Sequence, residues 1–274
     1  MDESKFIALR FNNKTHEFIK ESIKSNENII NSLSLEIKEK YRDKVNINKI
    51  LRLFIFLLTK ATDNGLNNTT IKVSKKEFLE FFKTFNKQDI LCMLQVLISL
   101  NVRKDNSYIN VFSSISEEEK KVHGYIIAHF TNEFYDLLKS KRSSMFFYFN
   151  RNLFNIDIGR NPHSFLLGIR IFYNKRINLN RAYENKISIK SLLDYCYFNK
   201  TGSNYIDCQY KRVIQEPIER DLEKLAEVGI LTWKYEKTPT NFNEFLDSTI
   251  TYTINDYDSL KEIQELKEKR LKCS

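Results

Sequence analysis

The chain is poor in the residues on which most active sites are built. Its six glycines include no G-x-x-x-x-G-K-[S/T] run, so the backbone cradle of P-loop nucleotide hydrolysis is missing. Neither G-x-S-x-G nor H-E-x-x-H occurs, which removes the usual signatures of serine hydrolases and zinc proteases. The four histidines, His16, His123, His129 and His163, contain no closely spaced pair. His123 and His129 would lie about 20 Å apart along an extended strand. The four cysteines, Cys92, Cys196, Cys208 and Cys273, form no C-x-x-C couple for zinc or thiol exchange and read as reduced thiols of a cytosolic protein. Long apolar runs are also lacking. Leu53 to Leu58 is the longest, far below the roughly 20 residues that cross a bilayer, and the opening MDESKFIALRFNNK is too polar for a secretory leader. The expectation is a cytoplasmic protein that is not an enzyme, with no catalytic residues, no metal, no cofactor and no place in a membrane.

What is abundant is aromatic and basic. With 21 Phe, 14 Tyr and 42% apolar residues the composition is that of a packed globular protein. The length suits two domains of ordinary size or one large one. Net charge is +9, and its surplus is concentrated. Between Leu137 and Tyr183 stand nine cations (Lys139, Lys141, Arg142, Arg151, Arg160, Arg170, Lys175, Arg176, Arg181) against one acid, Asp157. Aromatic residues are interleaved with them, as in MFFYFNRNLFN. Such a stretch suits a polyanion, because each neutralised phosphate releases counterions. A solvated basic surface is the alternative.

The first forty or so residues read as polar, weakly amphipathic helices without a core of their own. From Val45 the pattern sharpens. Ile47, Ile50, Leu51, Phe54, Leu57 and Leu58 carry the spacing of one buried helical face, and DNGLNN breaks it. TTIKV follows as a short β-branched strand. Ser74 and Glu77 form a capping box, Ser74 accepting from the first turn while Glu77 reaches back, and this opens the helix EFLEFFKTF. After ILCMLQVLISL come SYINVFSSI and VHGYIIAHF, which read as a hairpin. Helix, strand, helix, helix and hairpin is the order of a winged helix. The order then recurs: NPHSFLLGIRIFYNKRI with Phe165, Leu166, Ile169, Phe172 and Tyr173 on one face, KISI as strand, a helix capped by Ser188, the long helix from Tyr210, and a second hairpin, ILTWKYEK with STITYTIND. The fold class expected is α+β, mostly helical, with two tandem winged-helix domains. Their bounds are 45–138 and 161–256, with a helical extension over 1–44, a basic linker over 139–160 and a terminal helix over 257–274 that opens on a second box, Ser259 to Glu262.

In a winged helix the third helix enters the major groove and the hairpin lies along the backbone beside it. The third helix of the second unit packs through Val213 or Ile214, Ile218, Leu222 and Leu225. Lys211, Arg212, Gln215 and Arg220 stand off that face. Arg can read guanine bidentately and Gln adenine, so these four are the expected base readers. Pro217 should kink this helix or mark where its regular part begins. Glu216 and Glu219 argue against a uniformly basic contact face, and a purely structural amphipathic helix has the same pattern. The equivalent helix of the first unit is apolar nearly all round, through Ile90, Leu91, Met93, Leu94, Leu97 and Leu100, which implies burial inside a larger domain or against another chain.

On HGYIIAHFTNEFYDLL, NPHSFLLGIRIFYNKRI, ISIKSLLDYC and YKRVIQEPIERDLEKL, with Glu216-Pro217, the chain resembles the plasmid replication initiators of the tandem winged-helix kind that bind repeated origin sites. The resemblance covers roughly Val45 to Tyr235. It implies binding of double-stranded DNA at origin repeats, with Lys211, Arg212, Gln215 and Arg220 making sequence-specific contacts. Phosphate contacts fall to Lys139, Lys141, Arg142, Arg151 and Arg160, and on the second hairpin to Lys234 and Lys237. It further implies a homodimer, for which Ile90, Leu91, Met93, Leu94 and Leu97 are the expected interface, and host replication proteins as further partners. A transcriptional regulator of the same fold and a winged-helix protein-interaction module without DNA binding remain alternatives.

Overall fold

The computed structural model describes residues 5–24, 46–82, 87–99, 101–104, 107–118, 124–139, 144–157, 159–196 and 207–257. It is α+β, with helices joined to small antiparallel sheets. Residues 8–146 form one compact unit, and those from 147 onward, with the residues before 8, form the other.

In the amino-terminal unit, β1 (Phe6–Asn12) leads into α1 (Asn13–Lys24). This segment has no core of its own and shares that of α2 (Ile47–Asp63): Phe18 is buried and meets the Phe54 ring edge-on at 4.8 Å. Asn46 starts α2 by accepting from the backbone N–H of Asn48 and Lys49, which satisfies donors left over by the first turn. The apolar spacing predicts one buried face, yet α2 is buried nearly all round. Phe54 faces Phe112 and Phe134, while Phe56 faces Phe78, Phe81 and Phe82. Two residues on a helix are about 200° apart, so the two rings serve opposite walls.

Next come β2 (Thr70–Ser74), α3 (Lys75–Phe81) and α4 (Lys87–Ile98). Ser74 caps α3 by accepting from the Glu77 N–H at 3.2 Å. Glu77 does not reach back; its carboxylate pairs with Lys60 at 2.6 Å, a full charge being a better partner than a backbone amide. β3 (Asn101–Lys104) and β4 (Ser107–Asn110) form a hairpin of their own. The run SYINVFSSI, expected as one strand, breaks at buried Val111, whose carbonyl accepts the Thr131 N–H. β5 (Phe112–Glu118) then pairs with β6 (Tyr125–Phe130), and β6 with β2, giving the order β2-β6-β5. α5 (Asn132–Lys139) follows, and β7 (Ser144–Asn150) leads onward.

The carboxy-terminal unit holds a 3-10 turn (Arg151–Asn155), α6 (Ser164–Ile177), β8 (Lys186–Ser188) and α7 (Ile189–Leu193). After the polar loop come α8 (Asp207–Tyr210), a π turn (Lys211–Gln215), α9 (Glu216–Glu227), β9 (Leu231–Tyr235), α10 (Phe242–Asp247) and β10 (Thr249–Ile254). The predicted inner face of α6 is buried, with Phe165 against Phe154 at 4.9 Å. Ser188 caps α7 by accepting from the Ser191 N–H. The sheet order is β8-β10-β9. β2, after α2, thus lies beside β6 as β8, after α6, lies beside β10, and in both units the hairpin's other arm takes the far edge. The Ser259–Glu262 box lies outside the described residues.

Candidate nucleic-acid interface

α8, the π turn and α9 follow one another without a break from Asp207 to Glu227. Pro217 has no N–H to return to Val213, and its ring crowds the preceding turn. The Glu216 N–H reaches Lys211 O, five residues back. The wide turn gives the ring room, and regular α-helix starts at the proline. The rod ends where Gly229 takes φ +71°. There the Ile230 N–H donates to Leu225 O at 3.0 Å and the Gly229 N–H to Ala226 O at 2.9 Å, a glycine-closed C-terminus that turns the chain straight into β9.

Ile214, Ile218, Leu222 and Leu225 are fully buried, and of the two candidates at the front Ile214 takes the inner place. Tyr210 is also inside, its ring against Phe242 and Phe245 of α10. On the other side Lys211, Arg212 and Arg220 are exposed. Gln215 is half-buried and committed: its Nε2 donates to Glu219 Oε1 at 2.7 Å, and the Tyr235 hydroxyl donates to the same oxygen at 2.9 Å. Burial, and then the Glu219 charge, push the Tyr235 hydroxyl well above its ordinary pKa, so it stays a donor. This three-residue network ties α9 to β9 and fixes how the helix stands beside the hairpin.

Asp221 faces inward and is fully buried. Ser164 Oγ, on the first residue of α6, donates to its Oδ1 at 2.8 Å. Burial pushes the carboxyl up to about 6; the Ser164 hydroxyl, the nearby Arg220 charge and the backbone amides of His163 and Ser164 pull the other way. The carboxylate thus supplies at the start of α6 the negative charge that a helix N-terminus favours.

From Lys211 to Glu227 the cations Lys211, Arg212, Arg220 and Lys224 are matched by Glu216, Glu219, Glu223 and Glu227 off the buried face. Lys224 pairs with Glu227 at 2.8 Å. The positive end is therefore the front, at Lys211 and Arg212. Lys234 and Lys237 are exposed on and beyond β9. Other cations of the hairpin region are neutralised, Lys186 by Glu236 and Lys190 by Asp247.

No protein-family model matches the chain, and no curated protein matches it either.

The remaining expected contacts are scattered. Lys139 is exposed, its Nζ 4.7 Å from the Tyr135 ring centroid; Arg160 is exposed and Arg151 half-buried. Lys141 and Arg142 lie outside the described residues. Two cations of the basic stretch point inward instead: Arg170 is buried, and Lys175 is buried against Glu184 at 2.5 Å. Met93, Leu94 and Leu97 are buried within the amino-terminal unit, the first of the two fates that an all-apolar helix implies. The side chains of Ile90 and Leu91 are outside the described residues. Among the described residues no group of His, Cys, Asp or Glu is placed to hold a metal ion.

Sequence reading missed Asp221, Tyr235 and Ser164. Asp221 was detectable in principle, since it falls three after Ile218 and four before Leu225, inside the apolar stripe. Tyr235 shares the inward alternation of Leu231 and Trp233 on β9. Nothing in the sequence points to Ser164 as their counterpart on α6.

Proposed function

We propose that this chain is a sequence-specific binder of double-stranded DNA built from two winged-helix units, and that it acts as a replication initiator at repeated sites. The observation that carries the reading is the pairing of an exposed, positively charged helix front, Lys211 and Arg212, with an adjacent antiparallel hairpin bearing exposed Lys234 and Lys237. The strand order β8-β10-β9, repeated as β2-β6-β5, supports it. That is how a helix for the major groove and a strand pair for the phosphates are held side by side. The initiator role rests on the resemblance of the sequence, and the repeated unit suits repeated sites.

A second reading, a winged-helix module that binds protein, is favoured by the charge balance of α9 and by the engagement of Gln215 with Glu219. Fluorescence anisotropy with duplexes from the DNA flanking its own gene, against scrambled duplex, separates the two. DNA recognition requires a preference for native sequence and a loss of roughly ten- to a hundredfold in affinity with Arg212→Ala, the scale of one bidentate base contact. Gln215→Ala should cost less, its amide being already bonded. Equal, weak binding to both duplexes would move the assignment to the protein-binding module.

A further inference from the structure

We infer that the turn between α6 and β8, with the groove beside it, binds single-stranded nucleic acid. Tyr183 is 68% exposed, the more exposed of the two large apolar side chains that stand out among the described residues. Its turn is stiff. Arg181 N–H donates to Asn178 O at 2.9 Å, Glu184 N–H to Arg181 O at 3.0 Å and Lys186 N–H to Tyr183 O at 3.2 Å. Glu184 anchors it further: its Oε2 accepts from the Asn180 N–H, its Oε1 pairs with Lys175, and its carbonyl accepts from the Tyr252 hydroxyl. A turn whose backbone is already held in place loses little entropy when the ring it carries binds, which is the character of an anchor residue.

Two residues further on, Asn185 lines a groove of about 420 Å³ together with Thr232, Trp233, Lys234, Thr251 and Thr253. Thr232, Lys234, Thr251 and Thr253 share the outer face of the sheet, while the Trp233 ring, edge-on to Tyr235 at 5.4 Å, faces the other way. The carboxylates around the groove are matched, Glu184 by Lys175 and Glu236 by Lys186. Arg181 and Lys234 are exposed with no carboxylate partner among the described residues, so the surface is left positive. A positive, hydroxyl-lined groove next to a free aromatic ring fits a sugar-phosphate strand whose bases are unpaired. Stacking of this kind tolerates any base. A duplex hides its base faces and offers Tyr183 nothing to stack on. The inference rests on the reading of the chain as a nucleic-acid binder, but uses none of the residues assigned to duplex base readout.

A fluorescent label on the oligonucleotide reports binding to the intact protein. Titrating the protein into a labelled oligo(dT) of about 12 nucleotides, within the span such grooves occupy, should raise the anisotropy of the label to saturation. Tyr183→Ala, at an exposed position, should weaken binding about fivefold or more, the lower end for loss of one base stack. Arg212→Ala should leave oligo(dT) affinity unchanged while lowering that for duplex. Oligo(dT) affinity unaffected by Tyr183→Ala, or no oligo(dT) binding, would each overturn the inference. If native duplex still binds specifically in that case, the duplex reading stands by itself.

Discussion

A carboxylate without exposed surface costs free energy unless hydrogen bonds replace its water. Asp221 has the Ser164 hydroxyl on Oδ1, but its Oδ2 has no partner, which is why burial dominates its ionisation. In the unfolded chain this group titrates near 3.8, and in the folded one near 6. Above pH 6 it is ionised in both states and the folded state bears the cost. As pH falls through 6 the folded protein takes up a proton that the unfolded chain binds only near 3.8. The contribution of Asp221 to stability therefore rises toward acid, by roughly 1 kcal/mol between about pH 7 and pH 5. Urea unfolding followed by Trp233 emission, which reports on the same unit, should show this rise in the wild type and lose it in Asp221→Asn. An unchanged slope in the variant would assign the pH dependence to other groups. The residue scale is also where the sequence was least legible. Exposure of Lys211, Arg212 and Arg220 followed from helical spacing, whereas the commitment of Gln215 to Glu219 and Tyr235 needed two elements to meet.

Elements were far more legible, because capping, breaking and alternation act within a few residues of chain. Ser74 and Ser188 at helix starts and Gly229 at a helix end act where their chemistry says they should, and both hairpin assemblies formed. Missed features came from packing between elements: burial of α2 on both sides, the break at Val111, and the diversion of Glu77 to Lys60. The π turn lies between these cases. Pro217 announced an irregularity, and the structure resolves it by widening the turn before the proline rather than by ending the helix. If the proline sets that turn, Pro217→Ala restores a backbone donor and lets the rod relax to regular α-helix. Each residue removed from a widened turn rotates what precedes it by about 100°, so Lys211 and Arg212 would swing away from their present aspect. The expected result is thermal stability equal to or above wild type, with duplex affinity reduced at least about tenfold, as if a base contact were lost. Retained affinity would mean that the packing of Tyr210 against Phe242 and Phe245, rather than the proline, places the helix front.

At the scale of the whole molecule, charge counted along the chain overstates charge available at a surface. The run from Leu137 to Tyr183 has a surplus of eight, nine cations less one acid, and if every one met a phosphate the salt dependence of duplex binding would have a log–log slope near −7. The structure takes two of those nine cations away from the surface. Lys175 is neutralised by Glu184, and Arg170 lies buried with its guanidinium 5.8 Å and 5.9 Å from the Tyr173 and Tyr195 ring centroids. Among the described residues the exposed cations assigned to phosphate are Lys139, Arg160, Lys234 and Lys237, and four contacts give a slope of about −3.6. Anisotropy titrations across a salt series should return that value. Replacing Lys234 and Lys237 together by alanine should flatten it to about −1.8, because each phosphate contact contributes close to one unit. The preference for native over scrambled duplex should survive that double change, since phosphate contacts carry no sequence information. A wild-type slope near −7 would mean that further cations of the run also meet phosphate when DNA binds. A slope unmoved by the double variant would remove the hairpin from the interface and leave the helix front to act alone.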